Sequence, residues 1–268
     1  MPIITRKPVF TIVSALVLFA TATLVSAATP KPYEASYTLE MNDGLLSVDA
    51  VKTLVKLDPN NYKISWNASH LLYSIEQTSV FEWVNGFPLS TSFEQTKGAI
   101  FSKKDYQVKL NWVDKRASFN NNGEQGTFQL KEGTLDELTA QLQLRLRLAA
   151  GEKLIEFNQI DKDEVETRKY KVVGEETLET VLGKTKTIKV DRIRKNKKRH
   201  TSTWYAPDYD YIVVKSIQTK TGGDSFSLAL TSYNPDEGKP EATPEPDTKP
   251  TPGNQPVSTP GANPATLP

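Results

Sequence analysis

YEASYTLEMNDGLLSVDAVKTLVKL, Tyr33 to Leu57, is two runs of alternating apolar and polar residues joined at Asn42-Asp43-Gly44. A period of two places alternate side chains on opposite faces of an extended chain. Asp-Gly tolerates the positive φ of a tight hairpin turn, so the stretch predicts a pair of antiparallel strands. The pattern continues outward. YKISWNAS and YSIEQTSVFEWV follow, the second ending at the turn pair Asn85-Gly86. LSTSFEQT, YQVKLNWV and RASF extend the series until Asn120-Asn121-Asn122-Gly123 breaks it. After a gap come KLIEFNQI, VETRKYKVVG, EETLETVLG, TKTIKVDRI, TSTWYAPD, YIVVKSIQT and FSLALTSY. Turn signals at intervals of about eight to twelve residues predict a mainly β body. The expected architecture is a strongly curved antiparallel sheet, an open roll or barrel-like, with one packed helix.

The helix is expected at about 134–150, in GTLDELTAQLQLRLRLAAG. Thr134 reads as N-cap with Glu137 three residues on, a capping box, and Gly151 reads as the stop. A strand is the competing assignment, because Gln141 to Leu148 alternates. Leu, Gln and Arg favour a helix and none is β-branched, which decides for helix. Leu135, Leu138, Leu142, Leu146 and Ala149 then share one face, while Leu144 and Leu148 point elsewhere. Such a helix is apolar on two sides, so it is wedged between sheet and cover or lines a cavity.

The start and end of the chain differ from this body. Arg6 and Lys7 precede an apolar run from Val9 to Ala20, and Val25-Ser26-Ala27 closes it with small residues. That is the layout of a secretory signal peptide over residues 1–27, cleaved after about Ala27; an uncleaved anchor is the alternative. No later stretch is apolar enough to span a bilayer as a helix. From Asn234 the chain is rich in proline to its end, which predicts a disordered tail over 234–268. At about 3.1 Å per residue this tail reaches on the order of 100 Å when extended, as a spacer or as an end without a role. One β domain over 28–233 is left between them.

Composition narrows the functions. The chain has no cysteine, which excludes lipid attachment at a cleavage-site Cys, disulfides, and thiolate metal sites or nucleophiles. Lys and Arg number 33 against 32 Asp and Glu; without the leader's Arg6 and Lys7 they number 31. A near-neutral body has no global field for polyanions, and nucleic acid is not an expected partner in a periplasmic compartment.

Taken together, YEASYTLEMNDG, FEWVNGFPLSTSFEQTKG leading to KLNWVDKRA, and LDELTAQLQLRLRL carry a family resemblance. With VVGEETLETVLGKTKTIKVDRIR and TWYAPDYDYIVVKSI, they make the region from Tyr33 to Tyr233 similar to the bacterial domain-of-unknown-function family numbered 3108. The resemblance implies an exported, β-rich envelope protein with one helix. It supplies no catalytic residue to carry over, and it does not cover the proline-rich tail.

Motifs for chemistry are sparse. His70 and His200 are the only histidines, too few for a histidine metal cluster, and no metal ligand set or cofactor is expected. G-x-S-x-G, P-loop and G-x-G-x-x-G patterns are absent. Asp161, Asp163, Glu164 and Glu166 lack the central Gly and terminal Glu of a calcium loop and read as a solvated turn. Asp208 and Asp210 read as a second turn. No catalytic residue is assigned.

Two binding sites remain as expectations. The block Arg192, Arg194, Lys195, Lys197, Lys198 and Arg199 puts six cations into eight positions, at the tip of a hairpin. Pairing around Asn196-Lys197 sets Lys195 against Lys198 and Arg194 against Arg199, an unfavourable arrangement of roughly 0.2–1 kcal/mol per pair. Asn-Lys is also a weak tight-turn pair, which favours a longer loop. The tip is either a solvated guard against edge pairing or a site for anionic lipid headgroups or glycans. Leu144, Leu148, Trp83, Trp112 and Trp204 define the other candidate, an apolar groove between helix and sheet. The reading is an envelope protein that binds or scaffolds a partner; a carrier of an apolar ligand is the alternative, and a glycan-acting enzyme ranks behind both.

Overall fold

The first hairpin forms as its sequence predicts: Tyr33 pairs with Leu54 and Met41 with Leu46, joining β1 (Tyr33–Met41) to β2 (Leu46–Lys56). The computed structural model describes residues 29–41, 44–71, 73–99, 102–223 and 225–235. The expected leader, Asn42-Asp43 of the first turn and the tail beyond 235 lie outside the described residues. β3 (Asn61–His70), β4 (Tyr73–Val84), β5 (Phe87–Ala99), β6 (Ser102–Asn111), β7 (Arg116–Asn121) and β8 (Glu124–Gln129) continue as antiparallel neighbours. A short β9 (Thr134–Leu135) and the helix α1 (Glu137–Ala149) follow. The chain then resumes with β10 (Leu154–Asp161), β11 (Glu164–Thr180), β12 (Gly183–Ile193), β13 (Arg199–Ala206), β14 (Ile212–Lys220) and β15 (Ser225–Pro235).

β15 pairs along β1, so two meanders fuse into one 15-stranded sheet whose ends are β8 and β9. The sheet is antiparallel apart from Thr134 and Leu135, which run parallel to Asn158 and Gln159. It curls without a backbone ladder between its two ends among the described residues. Side chains bridge the gap instead. Ile160 packs with Val108, Leu110, Ala117, Phe128 and Leu130, Lys131 Nζ donates to the Val165 carbonyl at 3.0 Å, and the Tyr106 hydroxyl donates to the Lys162 carbonyl.

Three local readings are corrected. VETRKYKVVG and EETLETVLG form one strand, β11, because Val173 is the extra residue of a bulge and Gly174 stays paired with Lys189, its φ outside the positive range. Asn122 and Gly123 adopt φ of 54° and 94°, so the apparent break is a tight turn into β8, which the sequence reading passed over. The helix is capped by Asp136, not Thr134. Thr134 is fully buried in β9, where its hydroxyl donates to the Lys131 carbonyl at 2.7 Å, while Asp136 and Thr139 complete the capping box. Gly151, at φ 83°, ends the helix as expected.

The helix sits inside the curl and is apolar on two sides. Leu138 and Leu142 join the main core of Tyr33, Tyr37, Leu54, Tyr62 and Phe81; Ala140, Leu144 and Leu148 join Leu135, Ile155, Phe157, Val190 and Tyr205. Each buried leucine side chain contributes about 1.5–3 kcal/mol. Polar pairs pin the same helix to the sheet. Ser79 Oγ donates to Asp136 Oδ2 at 2.6 Å, Gln77 Nε2 to Glu137 Oε2 at 3.0 Å, and Lys52 Nζ to Gln141 Oε1. At the far end Arg145 lies 4.8 Å from the Tyr33 ring centroid and donates from Nη2 to the Asp210 carbonyl at 2.8 Å.

Antiparallel order puts alternate turns at the same end. The tips after β1, β3, β5, β7, β10, β12 and β14 therefore share one rim, opposite the end that holds Arg145 and the 3-10 turn Pro207–Tyr209. At the β7–β8 hairpin, Phe119 lies over Gly126; a Cβ there meets Phe119 Cε1 at 2.6 Å. Gly126→Ala is expected to displace the ring and destabilise the fold by about 1–3 kcal/mol, read as a lower urea midpoint.

Candidate functional site

Alternation along β12 turns Val190 and Arg192 to the inner face of the sheet, and Arg194, the first residue past its end, lines the same space. There they meet Leu144 of α1, Tyr170 of β11 and Tyr205 of β13 around a cavity of about 350 Å³. Its apolar side also includes Trp66, Val213 and Leu228, and its polar side Gln77, Glu137, Gln141, Thr201, Thr203 and Gln218. A more polar cavity of about 520 Å³ lies beside it, with Glu137 and Arg192 lining both. Volumes in this range suit a small organic ligand, and an apolar wall with a few convergent polar groups is the usual lining of such sites.

The two arginines are unusually placed. Arg168, nearby on β11, is held by Asp161 and by Glu166 at 2.6 Å. Arg192 and Arg194 have no carboxylate within salt-bridge distance among the described residues, and Arg194 Nη1 donates to Thr201 Oγ1 at 3.0 Å. Burial, together with Arg192 and Arg199 close by, lowers the Arg194 pKa to about 10; burial likewise lowers that of Arg192. Both remain cations at neutral pH. Burial raises the pKa values of Tyr170 and Tyr205, so the cavity's phenols stay neutral hydrogen-bonding groups. The site thus combines two guanidinium groups, neutral donors and an apolar wall with one carboxylate, Glu137, which accepts from Gln77; the excess of positive charge is chemistry for holding an amphipathic anion.

The sequence-predicted cations separate into two groups. Arg192 and Arg194 face the cavity. Arg194, Lys198 and Arg199 also surround a shallow depression of about 430 Å³ with Lys220, and Lys195 and Lys197 are exposed on the tip. The β12–β13 ladder stops at Asp191 and Ser202, so Arg194 to Lys198 form the longer loop and Arg199 pairs with Lys220 of β14 instead of opposing Arg194.

Of the predicted groove residues, Leu144 lines the cavity and four do not. Leu148 is buried against Ile155 and Phe157 in the second core. Trp83 packs at the edge of the main core, and Trp112 donates from Nε1 to the Ser90 carbonyl at 2.7 Å. Trp204 is buried, with Lys189 and Lys215 at 4.8 and 5.3 Å from its ring centroid and Nε1 donating to Glu176 at 3.0 Å. Tyr170, Gln141 and Thr201 were missed, although strand alternation from Arg192 and helix spacing from Leu144 mark their faces.

Two sets of polar residues resemble catalytic groupings and resolve otherwise. Asp161 and Glu166 are occupied by Arg168. Asp191, His200 and Ser202 meet outside the cavity, but Ser202 Oγ donates directly to Asp191 at 2.6 Å, and His200 Nε2 faces both Ser202 at 3.1 Å and Asp191 at 3.6 Å. A serine nucleophile gives its proton to the imidazole, whereas this one gives it to the carboxylate.

Fold and site together define an open β-roll, filled by one helix and holding an arginine-lined cavity. The chain belongs to the family described as Protein of unknown function (DUF3108), which matches residues 32–231. No curated protein matches it. Among solved structures it is similar to a beta-barrel-like protein of domain of unknown function DUF1849 from Brucella abortus, at 14% identity and a TM-score of 0.53, over 76% of this chain and 98% of that one. A putative exported protein with YmcC-like fold from Bacteroides fragilis matches at 10% identity and a TM-score of 0.30, over 76% and 96%. A porin-like protein from Bacteroides uniformis matches at 10% and 0.29, over 75% and 95%. The first of these likenesses supports the barrel-like fold and nothing further.

Proposed function

We propose that this protein is an exported envelope binding protein that holds an amphipathic anion in the cavity between α1 and the sheet. Export rests on the leader layout of Met1 to Ala27. Binding rests on one observation: Arg192 and Arg194, both without a carboxylate partner among the described residues, share a cavity with Leu144, Tyr205 and Val213. Two crowded cations in a partly dry site are relieved by a ligand anion, and the apolar wall takes a short hydrocarbon or ring. An apolar ligand alone leaves the arginines unsatisfied. The reading therefore narrows the apolar-carrier alternative to a ligand with a carboxylate, phosphate or sulfate group.

Native mass spectrometry of protein purified from its own periplasm is expected to show a retained molecule of a few hundred daltons. Octanoate and octyl phosphate serve as added probes. Arg192→Ala with Arg194→Ala is expected to weaken their binding about tenfold or more per guanidinium removed. Protein that retains nothing and binds neither probe, or a double variant that binds them undiminished, rules the reading out.

A further inference from the structure

The rim that carries the basic loop also carries two protruding leucines. Leu45, at the tip after β1, is 86% exposed, and Leu71, at the tip after β3, is 91% exposed. Their order on the rim follows from the strand order. The β12–β13 loop is followed by the β14–β15 tip, then Leu45, then Leu71, then the β5–β6 hairpin. Cations flank the leucines on both sides. On one side stand Lys195, Lys197 and Lys198, with Arg199 paired opposite Lys220. On the other, Lys97 pairs opposite Lys104, and Lys103, nearer the tip, is held by Asp105.

Like charges paired across strands are unfavourable, and this arc has two such pairs. Of the acidic side chains at this end, Glu124, Asp163 and Glu164 lie on the opposite arc, by β7–β8 and β10–β11, while Asp105 pairs with Lys103 at 3.2 Å and Asp49 and Glu76 stand on the strands of the leucine arc. Glu40 lies within the leucine arc, where it accepts from Ser227 at 3.2 Å.

We infer that this arc is a docking surface for an anionic lipid bilayer: Leu45 and Leu71 enter the interface and the flanking lysines and arginines bind the headgroups. Exposed large apolar side chains between basic ones are matched by a surface with negative charge above hydrocarbon. A protein partner with an acidic rim satisfies the lysines but gives two separate, fully exposed leucine tips no common pocket. Docking in this orientation turns the Arg194 side of the cavity toward the bilayer. The inference stands whether or not the cavity holds a ligand.

The test is co-sedimentation of the full exported protein with vesicles of phosphatidylethanolamine and phosphatidylglycerol at 3:1, against neutral phosphatidylcholine vesicles. Binding to the anionic vesicles that falls with added NaCl is expected, with none to the neutral ones. Lys195→Glu with Lys197→Glu, which touches no cavity residue, is expected to reduce binding by about fivefold or more per residue. Leu45→Asp with Leu71→Asp is expected to reduce it on the order of tenfold or more. Because the chain has no cysteine, Leu71→Cys carries a single polarity-sensitive dye, and its emission is expected to shift blue on anionic vesicles. Absent or lipid-indifferent binding, undiminished binding by either double variant, or an unshifted dye on bound protein overturns the inference. Loss of vesicle binding in millimolar inorganic phosphate at constant ionic strength also overturns it, since that marks a local phosphate site.

Discussion

Asp136→Ala is expected to lower the unfolding free energy by about 3–5 kcal/mol, the sum of a lost helix cap and stranded buried donors. Asp136 is 1% exposed. Its Oδ1 accepts from the Leu138 and Thr139 amides at 2.8 and 3.0 Å, and its Oδ2 accepts from Ser79 Oγ at 2.6 Å. The Asp136 amide in turn donates to Thr139 Oγ1 at 3.0 Å, and that hydroxyl meets Ser90 Oγ at 2.7 Å. Alanine leaves two helix-end amides and one serine hydroxyl without these partners at a buried position. Asp136→Asn keeps an acceptor for the amides and offers Ser79 a donor, so about 1 kcal/mol is expected. Urea unfolding of both variants checks this; an alanine variant as stable as the asparagine one contradicts the network.

Lys52→Met is expected to stabilise the protein and to remove part of its dependence on pH. Lys52 is 8% exposed on the inner face of β2, and burial, reinforced by Arg145, lowers its pKa from 10.5 to about 7. Between about pH 7 and 10.5 the unfolded chain holds a proton on this amine that the folded chain has released. Stability therefore rises with pH through that window, and the cost of the buried charge is fully present below it. Methionine removes that cost, so the variant is expected to gain about 1–3 kcal/mol at pH 6. Thermal melts from pH 6 to 10 are expected to show the wild type's melting point approaching the variant's as pH rises. Parallel curves contradict a buried amine that loses its proton.

The strands were legible because their signals are local. Tyr33–Met41 and Tyr73–Val84 match the sequence reading at both ends, and Asn85 and Gly86 adopt the positive φ of 50° and 83° that their turn needs. The polar lining was less legible. In YSIEQTSVFEWV, Gln77 and Ser79 face inward on the same side as Phe81. A polar residue turned to an internal helix looks, in sequence, like one turned to water. Trp83, Trp112 and Trp204 misled for the converse reason: aromatic character does not say whether a ring fills a core or lines a cavity.

By itself the sequence determined a succession of hairpins, one helix apolar on two sides, and a basic block at a strand end. Each follows from spacing and turn chemistry within a few residues. Only the tertiary structure decided that β1 and β15 pair, that α1 enters the curl, and that Arg192 and Arg194 reach Leu144 while Lys195 and Lys197 stay outside. Those outcomes depend on contacts between residues far apart in the chain, such as Tyr33 and Pro235. Their free energy comes from burial and from matched polar partners, which local spacing does not encode.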